Sequence, residues 1–428
     1  MSVSAQQSST EPKPESVSTD GKKRTVLILS TYALRLLGQG VSFFLFARAL
    51  GAQNFGFVVA TLAIFSPLSP LVDMGAYSLV SRDIALGRNP LQVIGENLTM
   101  MLFTLPLAMC GALLFAHLTN PSLNLSLLFM IGLAYLLISR TSLLLAAIQN
   151  TVNQRIPVIA VEAVSAFLLV GLGLFGLVYH YTLLQWSIVY MSIGLFILTI
   201  SFILIRRSIG AFKLNHWPTL GRIGEGLSFS LGNTFQFIYT DIDKVILLKF
   251  ATAQLTGVFG MTSRIGSLAL IPIGAVYSMF YPRFMRSGHG IDIPISRLLM
   301  RVLTLALVYS ALVILGIFLL SPIIPRFLGH EYAQVPSLLK VLTISIIFQI
   351  FQTPFADAIT GMGFQIYRTV IQGIMCIFAV VGGILVIPAN PLYGVLKLNV
   401  VVHGTLLALY VITYFILFLE MRRKSNAD

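Results

Sequence analysis

A polar stripe runs along the first long apolar segment of this sequence. Arg35 lies inside the segment, and Thr31, Gly38, Gln39 and Ser42 recur around it at helical spacing, so all five share one helix face. A cation in the hydrocarbon region costs roughly 2.5 to 3.5 kcal/mol on insertion scales, so such residues face a bundle interior or a water-filled cavity. The stripe predicts a polar cavity within a membrane, which is typical of transporters.

The composition places most of the chain in lipid. Hydrophobic residues make up 57% of the 428 residues, charged residues make up 10%, and the mean hydropathy is +0.89. Soluble domains carry about 25% charged residues. We therefore predict an all-α integral membrane protein with about twelve helices, each long enough to cross a hydrocarbon core of about 30 Å. The predicted spans are 26–48, 55–80, 97–118, 124–148, 157–178, 183–205, 226–249, 255–281, 298–320, 334–358, 366–387 and 393–419.

Basic residues are distributed unevenly between the two sides of such a bundle. About 19 of the 28 Lys and Arg fall in the tails and the even-numbered connections, whereas Arg48, Lys249 and Arg326 lie in the odd-numbered ones. By the positive-inside rule both termini are cytoplasmic. The net charge of +13 then reflects topology, and we expect no nucleic-acid partner.

The two halves of the chain resemble each other. Ala52-Gln53 and Gly56 recur as Ala253-Gln254 and Gly257, 201 residues later (253 minus 52). The same offset carries three stripe residues of the first span onto the seventh: Arg35, Gln39 and Ser42 onto Gln236, Thr240 and Asp243. Six spans per half give both halves one orientation, so we expect two six-helix lobes related by an axis along the membrane normal. The striped helices would face each other across a central cavity.

This organisation predicts five parts. Residues 1–21 are rich in Ser, Thr, Gln, Pro and Glu and are expected to form a disordered cytoplasmic tail. The other parts are an N-terminal six-helix lobe (22–205), a cytoplasmic linker (206–225), a C-terminal six-helix lobe (226–420) and a second cytoplasmic tail (421–428).

Charged residues within the apolar spans indicate the chemistry of the cavity. Arginine presents a planar fork of donors that suits phosphate or carboxylate and stays charged at every relevant pH, so the expected substrate is anionic. Substrate specificity is expected from polar and aromatic side chains such as Gln236, Tyr239 and Gln349. The predicted substrate-binding residues are Arg35, Gln39, Arg140, Gln236 and Arg264.

Acidic residues accompany the arginines. They balance the basic charge or couple substrate movement to protons or Na⁺, and the sequence leaves both readings open. The acidic candidates are Asp73, Glu162, Asp241, Asp243 and Asp357. Lys244, Lys340 and Lys397 lie near predicted outer ends of spans, where a lysine either lines the cavity or extends its ammonium to the interface.

Soluble enzyme chemistry has little support. The predicted outer connections are short, the six His are scattered, and the adjacent pair His330-Glu331 is expected to be a solvated loop. Cys110 and Cys376 both lie in apolar spans and indicate neither a disulfide nor a metal site. No phosphate-binding glycine loop is visible. We expect a transporter without a cofactor.

The N-terminal part of the chain resembles a known family. The resemblance covers about the first 85 residues and rests on the runs Leu36-Leu-Gly-Gln-Gly40, Phe46-Ala-Arg-Ala-Leu-Gly-Ala-Gln-Asn-Phe-Gly56, Pro70-Leu-Val-Asp-Met-Gly75 and Ser81-Arg82. These runs are similar to polysaccharide-biosynthesis flippases of the Wzx type, in the multidrug/oligosaccharidyl-lipid/polysaccharide exporter (MOP) superfamily. Hydropathy and repeat organisation agree with that superfamily over nearly the whole chain.

The resemblance implies a V-shaped pair of six-helix lobes in the bacterial inner membrane that opens alternately to either side. The implied substrate is a polyprenyl-pyrophosphate-linked oligosaccharide made on the cytoplasmic side, with membrane lipid and polysaccharide polymerase machinery as further partners. The family's cationic lumen would correspond to Arg35, Arg140 and Arg264. Two alternatives stay open: a cation or drug antiporter of the same superfamily, which would depend on Asp73 or Asp241, and a membrane glycosyltransferase or ligase.

Overall fold

The computed structural model describes residues 19–121, 123–151, 158–210, 220–288 and 294–425, without the side chains of residues 19–37. Most of the predicted N-terminal tail lies outside these ranges, and helix α1 begins at Thr19. The predicted linker 206–225 coincides with the end of α7 and the start of α8, apart from residues 211–219, which are not described.

All regular structure in the described ranges is helical. Two short 3-10 turns, Ser321–Ile323 and His330–Tyr332, flank α11. The helices are α1 Thr19–Phe65, α2 Ser69–Val72, α3 Ala76–Ala85, α4 Pro90–Thr119, α5 Leu125–Thr151, α6 Val158–Tyr179, α7 Leu183–Ile209, α8 Leu220–Phe250, α9 Ala253–Gly288, α10 Ile295–Leu320, α11 Ile324–Leu328, α12 Val335–Gly361, α13 Gln365–Val386 and α14 Pro391–Ser425.

The predicted spans correspond to these helices. The first span is α1 up to Gly51, whose φ of 72° interrupts the helix in a region that favours glycine. The second span consists of the rest of α1 with α2 and α3, and spans three to twelve match the remaining long helices. By length and composition, ten described segments can cross a membrane; α8, which carries Asp241, Asp243 and Lys244, is not among them. The prediction of an all-α membrane protein with about twelve helices is confirmed.

The second span is interrupted twice in its course. Turns at 66–68 and 73–75 separate α1, α2 and α3, and Pro70 lies in the first turn of α2, where its missing N–H removes no helical hydrogen bond. Met74 and Gly75 adopt positive φ angles of 47° and 67°. Because backbone groups at such breaks need new partners, the breaks concentrate polar contacts inside the bundle.

Each half of the chain packs mainly against itself. In the first half α1 lies against α6, and α5 against α7; in the second, α12 packs between α9 and α14, and α8 against α13. The halves meet chiefly where α1 crosses α9, with α8 touching α1 and α2. The buried apolar core follows the same pairs and continues through the crossing.

The crossing of α1 and α9 is built from the repeated residues. A Cβ added to Gly56 would overlap the carbonyl oxygen of Ala253, and a Cβ added to Gly257 would overlap that of Ala52. One turn further in, a Cβ on Gly260 would lie 2.5 Å from the nearest carbon of Val59. The segments that repeat in sequence therefore contact each other at equivalent positions, and only glycine permits this approach of two backbones.

Replacing Gly56 by Val should destabilise the protein by about 1 to 3 kcal/mol, because the branched side chain forces α1 and α9 apart. Gly257→Val should act similarly, since it makes the equivalent contact. Thermal unfolding in detergent provides the measurement. Gly111→Val is the matched control, as nothing lies within 4 Å of its added Cβ. Equal melting temperatures for all three variants would contradict this account of the crossing.

Candidate functional site

A central cavity lies between the two halves, beneath the crossing of α1 and α9. Its volume is about 190 Å³, and α1, α5, α8 and α9 contribute most of its wall. Aromatic rings of Phe43 and Tyr190 form part of the apolar lining. The polar lining relevant to ligand chemistry is Gln39, Ser66, Asp241, Lys244, Ser263 and Arg264.

Lys244 is fully engaged within the wall of this cavity. Its Nζ donates to the carbonyl oxygen of Thr240 at 2.7 Å, to Asp241 Oδ1 at 2.9 Å and to Asp243 Oδ1 at 3.1 Å. These contacts use all three ammonium donors. The side chain is buried, so Lys244 does not extend its ammonium to the membrane interface, which was one of the two possibilities that its position in the sequence left open. Lys340 and Lys397, by contrast, are exposed.

The two predicted carboxylates beside Lys244 have different second partners. Asp241 Oδ2 accepts a hydrogen bond from Ser66 Oγ at 2.7 Å, which joins α8 to the turn after α1. Asp243 Oδ2 accepts from Asn399 Nδ2 at 3.1 Å, which joins α8 to α14. Asp241 therefore lies at the interface of the halves, whereas Asp243 is buried inside the second half. Neither carboxylate is uncompensated.

Arg264 also lines the central cavity but, unlike Lys244, has no carboxylate partner among the described side chains. Its guanidinium lies 4.1 Å from the centre of the Phe43 ring, and its buried Nε has no hydrogen-bond partner. Within the described side chains, no carboxylate lies in salt-bridge range of Arg264. A buried charge without a counter-ion is costly, so this guanidinium is available to an anionic ligand.

Arg140 occupies a different place from Arg264. Its Nη1 donates to Asp73 Oδ2 at 3.1 Å, and both side chains are buried. Asp73 Oδ1 also accepts from the backbone N–H of Gly75 at 3.1 Å, at the break before α3. Arg140 therefore neutralises the carboxylate that stabilises this break, and it does not line the central cavity in this structure.

The remaining predicted residues are dispersed. Arg35 lies on α1, but its side chain is outside the described part of the chain. Glu162 is buried on α6. Gln236 and Asp357 line a second cavity of about 400 Å³ within the second half, between α8, α9 and α12. The structure thus brings Gln39, Asp241 and Arg264 together and separates them from Arg140, Gln236 and Asp357.

A charged cluster bridges the halves at one face, formed by the end of α3 and the starts of α4 and α8; we call this the terminal face. Asp83 pairs with Arg222 and, at 2.8 Å, with Arg88. Glu96 pairs with Arg88 at 2.9 Å and with Arg222 at 3.2 Å. Asp83, Glu96 and Arg222 are each buried. The cluster joins α3 and α4 of the first half to α8 of the second.

The pKa of Asp83 is governed by this cluster. Burial alone would raise it, but hydrogen bonds from Arg88 and Arg222 outweigh burial and hold the pKa of Asp83 below its ordinary value. A carboxyl group with a lowered pKa contributes stability above its unfolded pKa of about 3.9 and loses it only as the pH falls through the lower folded value. Asp83 is therefore ionised throughout the physiological range.

A second bridge closes the opposite face. His330 and Glu331 are exposed, as expected of a solvated loop, but Glu331 and its neighbour Tyr332 also contact the other half. Glu331 Oε2 accepts from the backbone N–H of Ala52 at 2.5 Å, at the Gly51 break. Tyr332, buried with 1% of its surface exposed, donates to the carbonyl of Ala47 at 3.0 Å. Arg48 donates to the carbonyl of Phe327 at 2.9 Å. The connection between α10 and α12 caps α1 of the other half.

Sequence reasoning missed both bridges because their residues lie in short polar connections that are ordinarily solvated. Two signals were present: Gly51 interrupts an apolar helix, and the start of α8 carries Arg222 and Glu225 close to a predicted span. Neither signal indicates which residue forms the other side of the bridge, since Glu331 is 279 residues from Ala52 and Arg222 is 139 residues from Asp83.

Comparisons with known proteins agree with this architecture. A family model described as "Polysaccharide biosynthesis protein" matches residues 21–287. No curated protein sequence matches the chain significantly.

Solved structures share the fold at low sequence identity. One, the "Lipid II flippase MurJ, inward closed conformation", has a TM-score of 0.67 and 13% identity over 91% of this chain and 87% of its own. Another, an inward-facing multidrug resistance MATE family transporter of the MOP superfamily, has a TM-score of 0.62 and 12% identity over 91% and 98%. A MOP superfamily transporter from Pyrococcus furiosus has a TM-score of 0.51 and 12% identity over 92% and 95%. With a family match over more than half its length and this fold, the chain belongs to the polysaccharide biosynthesis protein family and has the architecture of the MOP-superfamily transporters.

Proposed function

We propose that this protein is a flippase of the Wzx type that moves a polyprenyl-pyrophosphate-linked oligosaccharide across the bacterial inner membrane. The observation that carries the proposal is Arg264, a guanidinium without a carboxylate partner among the described side chains, in a cavity between the halves. A pyrophosphate supplies the missing counter-charge and matches the arginine fork. Membership of the polysaccharide biosynthesis family supports the glycan-bearing lipid as the substrate class.

The transport cycle follows from the size of the central cavity. At about 190 Å³ it is smaller than ordinary small-molecule sites of about 300 to 1,000 Å³, so an oligosaccharide head group enters only when the halves separate. The terminal-face cluster would part to admit the head group, and the Glu331 bridge would part to release it. The polyprenyl tail stays in lipid throughout, and no covalent step is required.

The terminal face is proposed to be cytoplasmic, in line with the positive-inside distribution of Lys and Arg. It is held by ion pairs, whereas the opposite face also has the tight glycine crossing nearby. Breaking buried ion pairs is costly unless water or a charged ligand replaces the lost partners, and an anionic head group that enters at this face would be such a ligand. Opening from the state described here therefore begins at the terminal face.

Coupling to an ion is proposed to involve Asp241, since it contacts Ser66 across the interface and changes partner when the halves separate. Protons and Na⁺ are both compatible with a carboxylate in this position. The pairing of Asp241 with Lys244 favours the flippase over a cation antiporter, because a cation carrier would need that carboxylate free for its substrate.

Arg264→Ala should reduce head-group translocation at least tenfold, because the pyrophosphate loses its counter-charge. Sealed proteoliposomes and a fluorescent polyprenyl-pyrophosphate oligosaccharide provide the assay. Arg297→Ala, which removes an exposed arginine, is the matched control and should leave the rate unchanged. Full activity of a folded Arg264→Ala protein would contradict the assigned role. Loss of activity in Asp241→Asn alone, with transport of organic cations, would favour the antiporter instead.

Asp83→Asn should open the terminal face, because it leaves Arg222 with a weaker partner. The measurement is labelling of Ser263→Cys by an impermeant maleimide, in a background with Cys110→Ser and Cys376→Ser. Labelling should rise severalfold, while Glu225→Gln, which weakens an exposed pair, should have little effect. After correction for the pH dependence of the thiol–maleimide reaction itself, measured on the denatured protein, labelling of the parent protein should not change between pH 6 and 8, because Asp83 stays ionised. An unchanged rate in Asp83→Asn would remove the cluster from the gate.

Glu331→Gln should open the face opposite the terminal face, because it weakens the acceptor of the Ala52 N–H. Labelling of the same cysteine should increase from the opposite side of the membrane and not from the terminal side. Gln334→Glu, an exposed change in the same connection, is the control. If Glu331→Gln increased labelling from the terminal side, the assignment of this bridge to the opposite face would be wrong.

A further inference from the structure

The second cavity is chemically distinct from the central one. It lies within the second half, at about 400 Å³ is twice as large as the central cavity, and falls within the usual range of small-molecule sites. The described residues that line it include no Lys, Arg or His, and its one charged group is Asp357. Arg368 approaches that carboxylate at 3.4 Å without lining the cavity. A carboxylate at the wall disfavours phosphate as the occupant.

The polar groups of this cavity suit neutral hydroxyl groups. Gln236, Gln349 and Gln352 each offer an amide that both donates and accepts hydrogen bonds. Ser278 and Thr353 add hydroxyl oxygens that can accept, since their protons are donated to the carbonyls of Ala275 at 2.7 Å and Gln349 at 3.3 Å. Sugar hydroxyls also donate and accept, so each finds a complementary partner on this wall.

Several of these groups retain unused hydrogen-bonding capacity. Gln352 Oε1 is buried and has no hydrogen-bond partner in the described structure. Gln349 Nε2 makes one long contact, 3.5 Å from Ser345 Oγ. A buried acceptor without a donor is unfavourable, and a ligand hydroxyl at Gln352 would satisfy it. Tyr277 differs, since its hydroxyl already donates to the carbonyl of Ile350 at 2.8 Å.

An aromatic surface completes the lining. Tyr281 keeps 40% of its surface exposed at the cavity. A tyrosine ring offers an apolar face together with a polar edge, which matches a sugar ring with its C–H face and its hydroxyl rim. Tyr239, an expected specificity residue, is instead buried against His403 and does not line this cavity.

The two cavities share helices and therefore have a defined spacing. On α9, Arg264 lines the central cavity and Gly274 lines the second one, ten residues closer to the terminal face. At 1.5 Å per residue, this separation is about 15 Å along the helix. The second cavity is thus within reach of sugars attached to a pyrophosphate held at Arg264.

We propose that the second cavity is a subsite for uncharged sugar rings of the substrate, in which Gln349, Gln352 and Tyr281 contact the glycan while Arg264 holds the pyrophosphate. This inference rests on the proposed function for the attachment of the glycan to a lipid. The subsite itself is defined by its own neutral lining. It lies towards the terminal face, where the head group enters.

Binding measurements on the full-length protein in nanodiscs test the subsite. The probes are polyprenyl pyrophosphate carrying lactose, the same lipid carrying chitobiose, and the unglycosylated lipid, followed by native mass spectrometry. Gln352→Leu should weaken binding of at least one glycosylated lipid about tenfold and leave the bare lipid within twofold. Arg264→Ala should weaken all three. Gln365→Leu, an exposed change at the start of α13, is the matched control and should alter none.

The outcomes separate the subsite from the flippase. Equal effects of Gln352→Leu on glycosylated and bare lipid, or no effect on either, would overturn the subsite. If the parent protein bound no lipid but bound free lactose or chitobiose in a manner lost in Gln352→Leu, the subsite would stand and the flippase would fail. No binding of any probe would overturn both. Gln349→Leu provides a second variant if Gln352→Leu does not fold, with thermal unfolding as the check.

Discussion

A charge in the interior of a membrane protein needs a counter-charge or a polar ligand, and the distribution of such partners organises this molecule. Arg140 compensates Asp73 at a helix break, and Lys244 joins Asp241 and Asp243 in α8. Each of these charged groups has a partner of opposite charge inside the protein, and removing one partner would leave an uncompensated buried charge. Arg264, packed on Phe43, lacks such a partner among the described side chains. The same electrostatic constraint therefore separates the structural cations from the one that a ligand can neutralise.

The interface between the halves has three parts with different physical character. The glycine crossing of α1 and α9 is a close contact between two backbones, which leaves no room for a side chain at Gly56 or Gly257. The Glu331 bridge caps a helix break with backbone hydrogen bonds. The terminal-face cluster consists of ion pairs. Packing and capping thus reinforce one face, while the other is held by ion pairs between charged side chains.

In the proposed function, the two cavities would divide the recognition of an amphiphilic glycan between different chemistries. The central cavity combines an available guanidinium with aromatic rings, and the second cavity combines amides, hydroxyls and a tyrosine face. The charged part of the substrate would be recognised where the halves meet, and it would therefore be the part most sensitive to their movement. Neutral sugars would be recognised within one half, whose walls move together. Such an arrangement separates the step that drives closure from the contacts that select the glycan.

Much of this could be predicted from the sequence. Hydropathy determines the number of spans, because every backbone polar group in lipid must be satisfied within a helix. The repeat at Gly56 and Gly257 predicted which segments are equivalent, and helical spacing correctly placed Gln39 towards a cavity. These properties depend on residues close together in the chain, where the periodicity of a helix fixes which side chains share a face.

The tertiary structure decided the partners. Arg140 and Arg264 look alike in sequence, yet one is paired with Asp73, 67 residues away, and the other is not paired among the described residues. The sequence places Glu331 in a loop, and its contact with the other half depends on the break at Gly51, which only the fold brings next to it. The pattern of nearby residues specifies that a charge lies on a particular helix face. The role of that charge depends on which groups of another helix lie opposite it. Electrostatic interactions are strong in the low-dielectric interior, so differences of a few ångströms in distance decide whether two charges pair.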